Sequence, residues 1–347
     1  MKPYEELTHR GKMRRMRRLA AVALEAYGLA NAPLRLFLDN GNIIYRTEMP
    51  FTSPSQEPKG LYAGTRCALR IHQPGYQSAQ AISSELAWLA ALRKESGVPV
   101  PEPISTLDGK LLTQITVPEV TGPRTCSLLR WVKGRLVARG AGPRHYRAQG
   151  RLMAKLHAHA ANWVPPYGFM RLAYDWNGLF GEGTGTGLSG STIWELVPPR
   201  YFEGFEIVTI ALRRLMADWG NGPDVYGMIH ADLGVDANLL FHKGEARAID
   251  FDDCRFGYWM FDLAIALEHV QEDPDLPRFR DALLEGYAEK RLLPDEQVRQ
   301  LPLFLAAVNA LFIVWPVAMM HRFGLSDYWT TRMDRAGNLI VRFVNGD

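Results

Sequence analysis

The chain has 347 residues, 47% of them hydrophobic, with 40 Lys and Arg against 37 Asp and Glu for a formal charge of +3. That length exceeds an ordinary single domain and supports a sizeable core, so two lobes are the natural expectation. The near-balanced charge argues against a dedicated nucleic-acid surface, and three scattered cysteines, Cys67, Cys126 and Cys254, offer neither zinc spacing nor a disulfide framework, which fits a reducing, cytoplasmic setting.

In chain order, residues 13–28 join a basic cluster to a short apolar run, as a secretory signal would. The run breaks at Glu25, however, while Met16, Leu19, Ala23 and Tyr27 keep helical spacing. The expectation is an amphipathic helix within residues 1–30, packed on a small lobe. Residues 34–38, a turn at 39–42 containing Gly41 and Asn42, and residues 43–47 predict a hairpin. Residues 66–72 predict a strand with Ala68, Arg70 and His72 on one face and Leu69 and Ile71 on the other, ended by Pro74 and Gly75. Residues 78–93 predict a helix whose stripe is Ile82, Leu86, Leu89 and Leu92, with Gly97 as terminator. Glu85 lies within that stripe. A carboxylate on an apolar face needs a cation, and Arg70 is the nearest able to serve; whether the pair binds a ligand or only ties helix to strand stays open.

Three segments invite wrong readings. His157 and His159, two residues apart, have poor ligand spacing on a helix and are expected to pack. Residues 181–191 contain Gly-x-Gly-x-x-Gly at Gly185, Gly187 and Gly190, but no apolar strand precedes it, so a loop is expected rather than a dinucleotide site. Residues 301–320 carry no charge and have the length of a membrane span, yet Asn309, Pro316 and the alanine content favour a buried helix and no membrane partner.

The chemistry concentrates in residues 228–253. Residues 239–242 are apolar and extended, Lys243-Gly244 is turn chemistry, and the chain returns with alternating Ala246 and Ala248. Folding back at Gly244 brings Asn238 and Asp250 together at the open end; a three-residue loop would put them on one face. One carboxylate and one amide oxygen, with phosphates and waters, suit magnesium, so Asn238 and Asp250 are metal candidates and Asp252 a further contact to a second metal or to substrate. A phosphoryl-acceptor hydroxyl needs a carboxylate to receive its proton, and Asp232 is the candidate. Asp232, Asp236, Asp250, Asp252 and Asp253 crowd like charges, which should be uncomfortable without a cation. His230 is expected to hold the loop rather than to ligate. A calcium-loop reading fails because Arg255 stands where glycine is required, and a phosphoaspartate reading fails because that strand would open its fold rather than come late.

This stretch resembles the catalytic and metal loops of the aminoglycoside phosphotransferase and choline kinase family, relatives of protein kinases, over about residues 34–262. The resemblance implies an α+β, bilobal protein-kinase-like fold: a small antiparallel-sheet lobe with one long helix over 31–132, and a larger, mainly helical catalytic lobe over 133–347. It implies transfer of the ATP γ-phosphate, with Mg2+, to a hydroxyl of a small molecule such as an amino alcohol, aminoglycoside, homoserine or sugar. Asp232 would be catalytic, Asn238 and Asp250 would hold metal, and Asp262 would brace the catalytic loop. Arg70 and Glu85 would clamp nucleotide phosphates, the turn with Asn42 would cover them, and backbone near Leu129 to Trp131 would meet adenine. Residues 181–191 fall where family members carry acceptor-binding insertions, so they form a candidate lid; Asp175, Trp176, Glu195 and Tyr201 would either line the acceptor pocket or serve surface and packing. Asn238 stands one residue farther from Asp232 than the family's usual spacing, which leaves open whether Asp236 or Asn238 reaches the metal. Alternatives within reach are a stress-response serine/threonine protein kinase and a nucleotide-binding module without turnover. A monomer or homodimer is expected.

Overall fold

The computed structural model describes residues 2–49, 64–137, 140–181, 190–323 and 327–346. The chain divides into two compact units, Met1–Lys133 with Pro165–Met170, and Gly134–Val164 with Arg171–Asp347. The return of Pro165–Met170 to the first unit had no signal in the sequence.

In the first unit, α1 (His9–Glu25) starts at Thr8, whose Oγ1 accepts from Gly11 N at 3.3 Å. The strands are β1 (Leu34–Asn40), β2 (Asn42–Glu48), β3 (Arg66–Ile71), β4 (Pro103–Ile104), β5 (Leu112–Ile115) and β6 (Arg124–Arg130). They form one antiparallel sheet in the order β1-β2-β3-β6-β4, with β5 also paired to β6. Register aligns Tyr45 with Leu69 and Leu69 with Leu128. These apolar side chains share one sheet face and join Met16, Leu19 and Ala23 of α1 in a single core cluster, each large one contributing about 1.5–3 kcal/mol on burial. Period-two alternation therefore sends Arg70, aligned with Ile44 and Ser127, to the other face. The helix α2 (Ala79–Ala91) is capped by Ser78 Oγ on Ala81 N at 3.1 Å; it runs into a π turn, Leu92–Ser96, and stops at Gly97, whose φ of 64° a side chain would resist.

The second unit is mainly helical. Its elements are α3 (Pro143–Ala160), β7 (Ala173–Tyr174), α4 (Trp176–Phe180), α5 (Gly190–Glu195), α6 (Pro199–Trp219), β8 (Tyr226–Ile229), β9 (Leu239–His242), β10 (Glu245–Ala248), β11 (Arg255–Tyr258), α7 (Trp259–Leu267), α8 (Leu276–Ala288), α9 (Asp295–Arg299), α10 (Leu301–Phe323) and α11 (Asp327–Asn345). Helices α3 and α8 meet backbone to backbone: a Cβ on Gly150 would lie 2.0 Å from Leu283 O, and one on Gly286 would lie 2.0 Å from Arg147 O. Helix α10 packs on α6, α7 and α11. Its buried Asn309 exchanges two amide hydrogen bonds with Gln271, at 2.9 and 3.2 Å. Among the described residues no helix is long and apolar enough to cross a membrane.

Candidate active site

The strand β8 delivers His230, Ala231 and Asp232. Ala231 sits at φ 65°, a left-handed backbone that costs an alanine on the order of 1 kcal/mol. Asp262, in the first turn of α7, holds it there: Oδ2 accepts from His230 N at 3.0 Å and Oδ1 from Ala231 N at 2.7 Å. Oδ2 also accepts from His157 Nε2 at 3.0 Å, and His157 Nδ1 lies 2.9 Å from the Tyr287 hydroxyl. Burial keeps the His157 imidazole below its ordinary pKa, hence neutral. Burial alone would raise the Asp262 carboxyl, but the bonds from His157 and the His230 amide outweigh it and hold it below the usual range. The pair is a carboxylate beside a neutral imidazole, with Nε2–H donating and the tyrosine hydroxyl donating to Nδ1. His157 thus braces the loop brace, a role its spacing from His159 did not suggest. His230 spends both nitrogens internally, Nε2–H on Ile249 O at 3.0 Å and Nδ1 accepting from Asp232 N at 3.3 Å.

The β9–β10 hairpin turns on two residues, Lys243 and Gly244, at φ 52° and 81°, rather than on three. Positive φ at both positions is the type I′ turn that matches strand twist. The register therefore places Ile249, not Asp250, opposite Asn238, and Ile249 N donates to Asn238 O at 3.0 Å. Regular alternation would then turn Asp250 to the other face. Instead Asp250 adopts φ 61° and leaves strand geometry, and its charge acts on Asp232.

Asn238 and Asp232 are in direct contact: Asn238 Nδ2 donates to Asp232 Oδ2 at 2.7 Å and to Asp232 O at 2.9 Å. The Asp232 carboxyl is pushed up to about 8, first by burial, then by Asp253 and Asp250, with Arg332 and Asn238 pulling the other way. The residue as a whole is exposed, so water screens part of that repulsion. Asp253 repels the Asp232 carboxylate more than Asp250 does, and the carbonyls of Asp252 and Cys254 accept from Arg171. Asp253 is in turn paired with Arg255 at 2.9 Å, and that guanidinium lies 4.2 Å over the Tyr174 ring. Arg171 and Arg255 pin the 250–254 loop, and nothing in their local sequence marked that role. Asp236 points elsewhere, with Oδ1 3.5 Å from His269 Nε2.

Asp232 and Asp236 open onto a cavity of about 570 Å³. None of Asp175, Trp176, Glu195 and Tyr201 lines it. Asp175 caps α4 through Gly178 N at 2.7 Å, and Tyr201 packs on α11 near Gly337. The glycine-rich stretch 182–189, expected as a lid, lies outside the described residues. Among the described residues no three His, Cys, Asp or Glu side chains gather into a closed metal nest. An amide oxygen from Asn238 and a carboxylate from Asp250, beside an Asp232 strained by like charge, nonetheless fit a hard divalent cation that completes its shell with phosphate and water.

In the first unit, Arg70 Nη2 bonds Glu85 Oε1, and both side chains are almost wholly buried. His72 joins them on the same face through Ser127 Oγ at 2.9 Å, and burial with Arg70 nearby holds it well below its ordinary pKa. Asn42 Oδ1 accepts from Gln73 N at 3.0 Å, tying the turn to the end of β3. Leu129 is paired with Ala68 and Pro103. Trp131 N donates to Arg66 O at 2.9 Å, and its ring meets Phe37 edge to face at 4.9 Å.

An antiparallel sheet unit with a buried Arg–Glu pair, and a helical unit carrying a braced His-x-Asp loop and an acidic hairpin end, define a protein-kinase-like phosphotransferase. Residues 59–301 match the model of the phosphotransferase enzyme family, and the chain belongs to that family. An uncharacterised protein of Deinococcus radiodurans is 27% identical, over 88% of this chain and 83% of its own. A homoserine kinase of Methylobacterium nodulans is 28% identical over 63% of each. Among solved structures, a microcompartment-associated aminopropanol kinase superposes with a TM-score of 0.77 at 28% identity, covering 95% of this chain and 98% of that one. The chain is thus a phosphotransferase of a class whose members act on hydroxyl groups of small molecules.

Proposed function

We propose that the protein is an ATP- and magnesium-dependent kinase that phosphorylates an alcohol group of a small molecule in the cytoplasm. The observation that carries this is Asp232, bonded to Asn238, repelled by Asp250 and Asp253, and open to a cavity of substrate size. Asp232 orients the acceptor hydroxyl and receives its proton, a task of positioning and charge rather than covalent chemistry. Asn238 and Asp250 would hold Mg2+, with Asp252 as a further contact; when bound, the ion would neutralise phosphate charge and relieve the repulsion on Asp232. Asp262 and His157 keep the loop in its left-handed turn so that Asp232 does not have to be ordered at each turnover. Arg70 is assigned to nucleotide phosphate with Glu85 fixing its direction; the Asn42 turn and the backbone near Leu129 and Trp131 are assigned to the phosphates and the base. Three free, buried cysteines suit a reducing compartment.

The test is a panel of amino alcohols, hydroxy amino acids, sugars and aminoglycosides assayed by ADP release, with Asp232→Asn as control. Acceptor-dependent release that Asp232→Asn abolishes supports the proposal. Release that persists in Asp232→Asn, or depends on no small acceptor, counts against it.

A further inference from the structure

Between α3 and β7 the chain leaves the second unit, contributes Pro165–Met170 to the first, and re-enters the second at Arg171. Within the first unit this segment is fastened to α2. Gln80 Nε2 donates to Gly168 O at 2.8 Å, and Met170 N donates to Ser84 Oγ at 2.8 Å. The Ser84 hydroxyl donates in turn to Gln80 O at 2.9 Å, so it gives and accepts at once, buried, one residue before Glu85. Gly168 stands at φ 78°, a left-handed backbone that glycine adopts without cost. Apolar burial adds little to the docking, because Val164, Tyr167 and Met170 are exposed. The polar anchors hold it.

One peptide bond later, within the second unit, the chain is fastened to the acidic loop. Arg171 donates from Nε to Cys254 O and from Nη2 to Asp252 O. Leu172 O accepts from Phe256 N at 3.0 Å, and Ala173 and Tyr174 pair in parallel with Phe256 and Gly257. The Tyr174 ring carries the Arg255 guanidinium, itself paired with Asp253. Residues 168–174 thus run from the helix that bears Glu85 to the loop that bears Asp250 and Asp253. Anchors on neighbouring residues leave little slack, since consecutive Cα atoms are fixed about 3.8 Å apart.

We propose that residues 168–171 are a coupling strap, and that Arg171 is a positioning residue that sets the 250–254 loop according to the position of α2. Nucleotide phosphate drawn to Arg70 and Glu85 would steady α2, and the strap would carry that order to the loop, so that magnesium meets its ligands already placed. This rests on the assignment of Arg70 to nucleotide and Asp250 to magnesium, and the test separates the strap from that reading. The full chain without ligand is compared by hydrogen-exchange mass spectrometry as wild type, Ser84→Ala, Arg171→Gln and the double variant. Loss of one anchoring bond predicts about 3–10-fold faster exchange over 252–258 in Ser84→Ala, although the substitution lies in the other unit. Gln80→Ala, at an exposed side chain, should shift the same amides by less. Amides of α3 and α8 should stay within about twofold of wild type. The Mg2+ concentration for half-maximal rate should rise about 3–10-fold in either single variant and hardly further in the double, because a strap released at one end transmits nothing from the other. Unchanged exchange over 252–258 in Ser84→Ala, equal acceleration across α3 and α8, or effects that multiply in the double variant would overturn the coupling. If no acceptor is phosphorylated at all, the kinase reading falls, and the exchange comparison alone decides for or against the strap.

Discussion

Asp262→Asn is the sharpest structural test of the catalytic loop. The wild-type carboxylate is fully buried and accepts from His230 N, Ala231 N and His157 Nε2 at 3.0, 2.7 and 3.0 Å. An asparagine keeps one acceptor oxygen and turns an NH2 toward at least one backbone N–H, so one charge-assisted bond is lost and one buried donor is orphaned. At about 1.5–3 kcal/mol for the bond and about 1–3 kcal/mol for the orphan, the loss should be roughly 3–5 kcal/mol. For a unit of this size that lowers the melting midpoint by on the order of 10 °C. Trp259, stacked 4.7 Å from His157, reports the change in fluorescence-monitored urea unfolding. Because the Asp262 pKa is held down, its contribution is complete above the unfolded carboxylate range, about pH 4, and is lost as pH falls through the lower folded value. The gap between wild type and Asp262→Asn should therefore be full at pH 7 and shrink in strong acid. A loss under about 1 kcal/mol at pH 7, with phosphotransfer intact, would refute the reasoning that Asp262 sustains the left-handed Ala231.

Further outcomes follow from the same geometry. Gly150→Ala forces a methyl to 2.0 Å from Leu283 O, where only backbone can yield, and should cost about 1–3 kcal/mol or more by urea unfolding. Arg70→Ala strands Glu85 in the interior and should cost roughly 3–5 kcal/mol, whereas Arg70→Gln with Glu85→Gln should recover most of that stability while nucleotide affinity, read by calorimetry, stays weak. Asp250→Asn removes one of the charges repelling Asp232 and should raise apo stability slightly while raising the Mg2+ concentration needed for turnover, measured by titration of rate.

The parts of the site that local patterning controls were legible in the sequence. Glu85 on an apolar helical stripe demanded a cation, and alternation on β3 put Arg70 where it could answer. The Lys243-Gly244 turn was readable from its residues, but its length was not, and the one-residue difference moved Asn238 opposite Ile249. Asp250 leaves strand geometry for a left-handed backbone, which no spacing rule foresees for an aspartate, and its charge acts on Asp232. The bracing roles of His157, Arg171 and Arg255 were not legible for a different reason. Their partners, Asp262, the 252 and 254 carbonyls, and Asp253, are brought to them by tertiary packing, and a buried histidine or a half-buried arginine has no signature along the chain.

The central claim, that Asp232 makes this hairpin a phosphoryl-transfer site, is tested most directly by single-turnover 31P NMR with Mg2+, ATP and an amino alcohol. Wild type should convert the γ-phosphate resonance to a phosphomonoester, and Asp232→Asn, still binding ATP, should be slower by about 10²–10⁴-fold. Equal rates in the two proteins, or inorganic phosphate as the sole product in wild type, would contradict it.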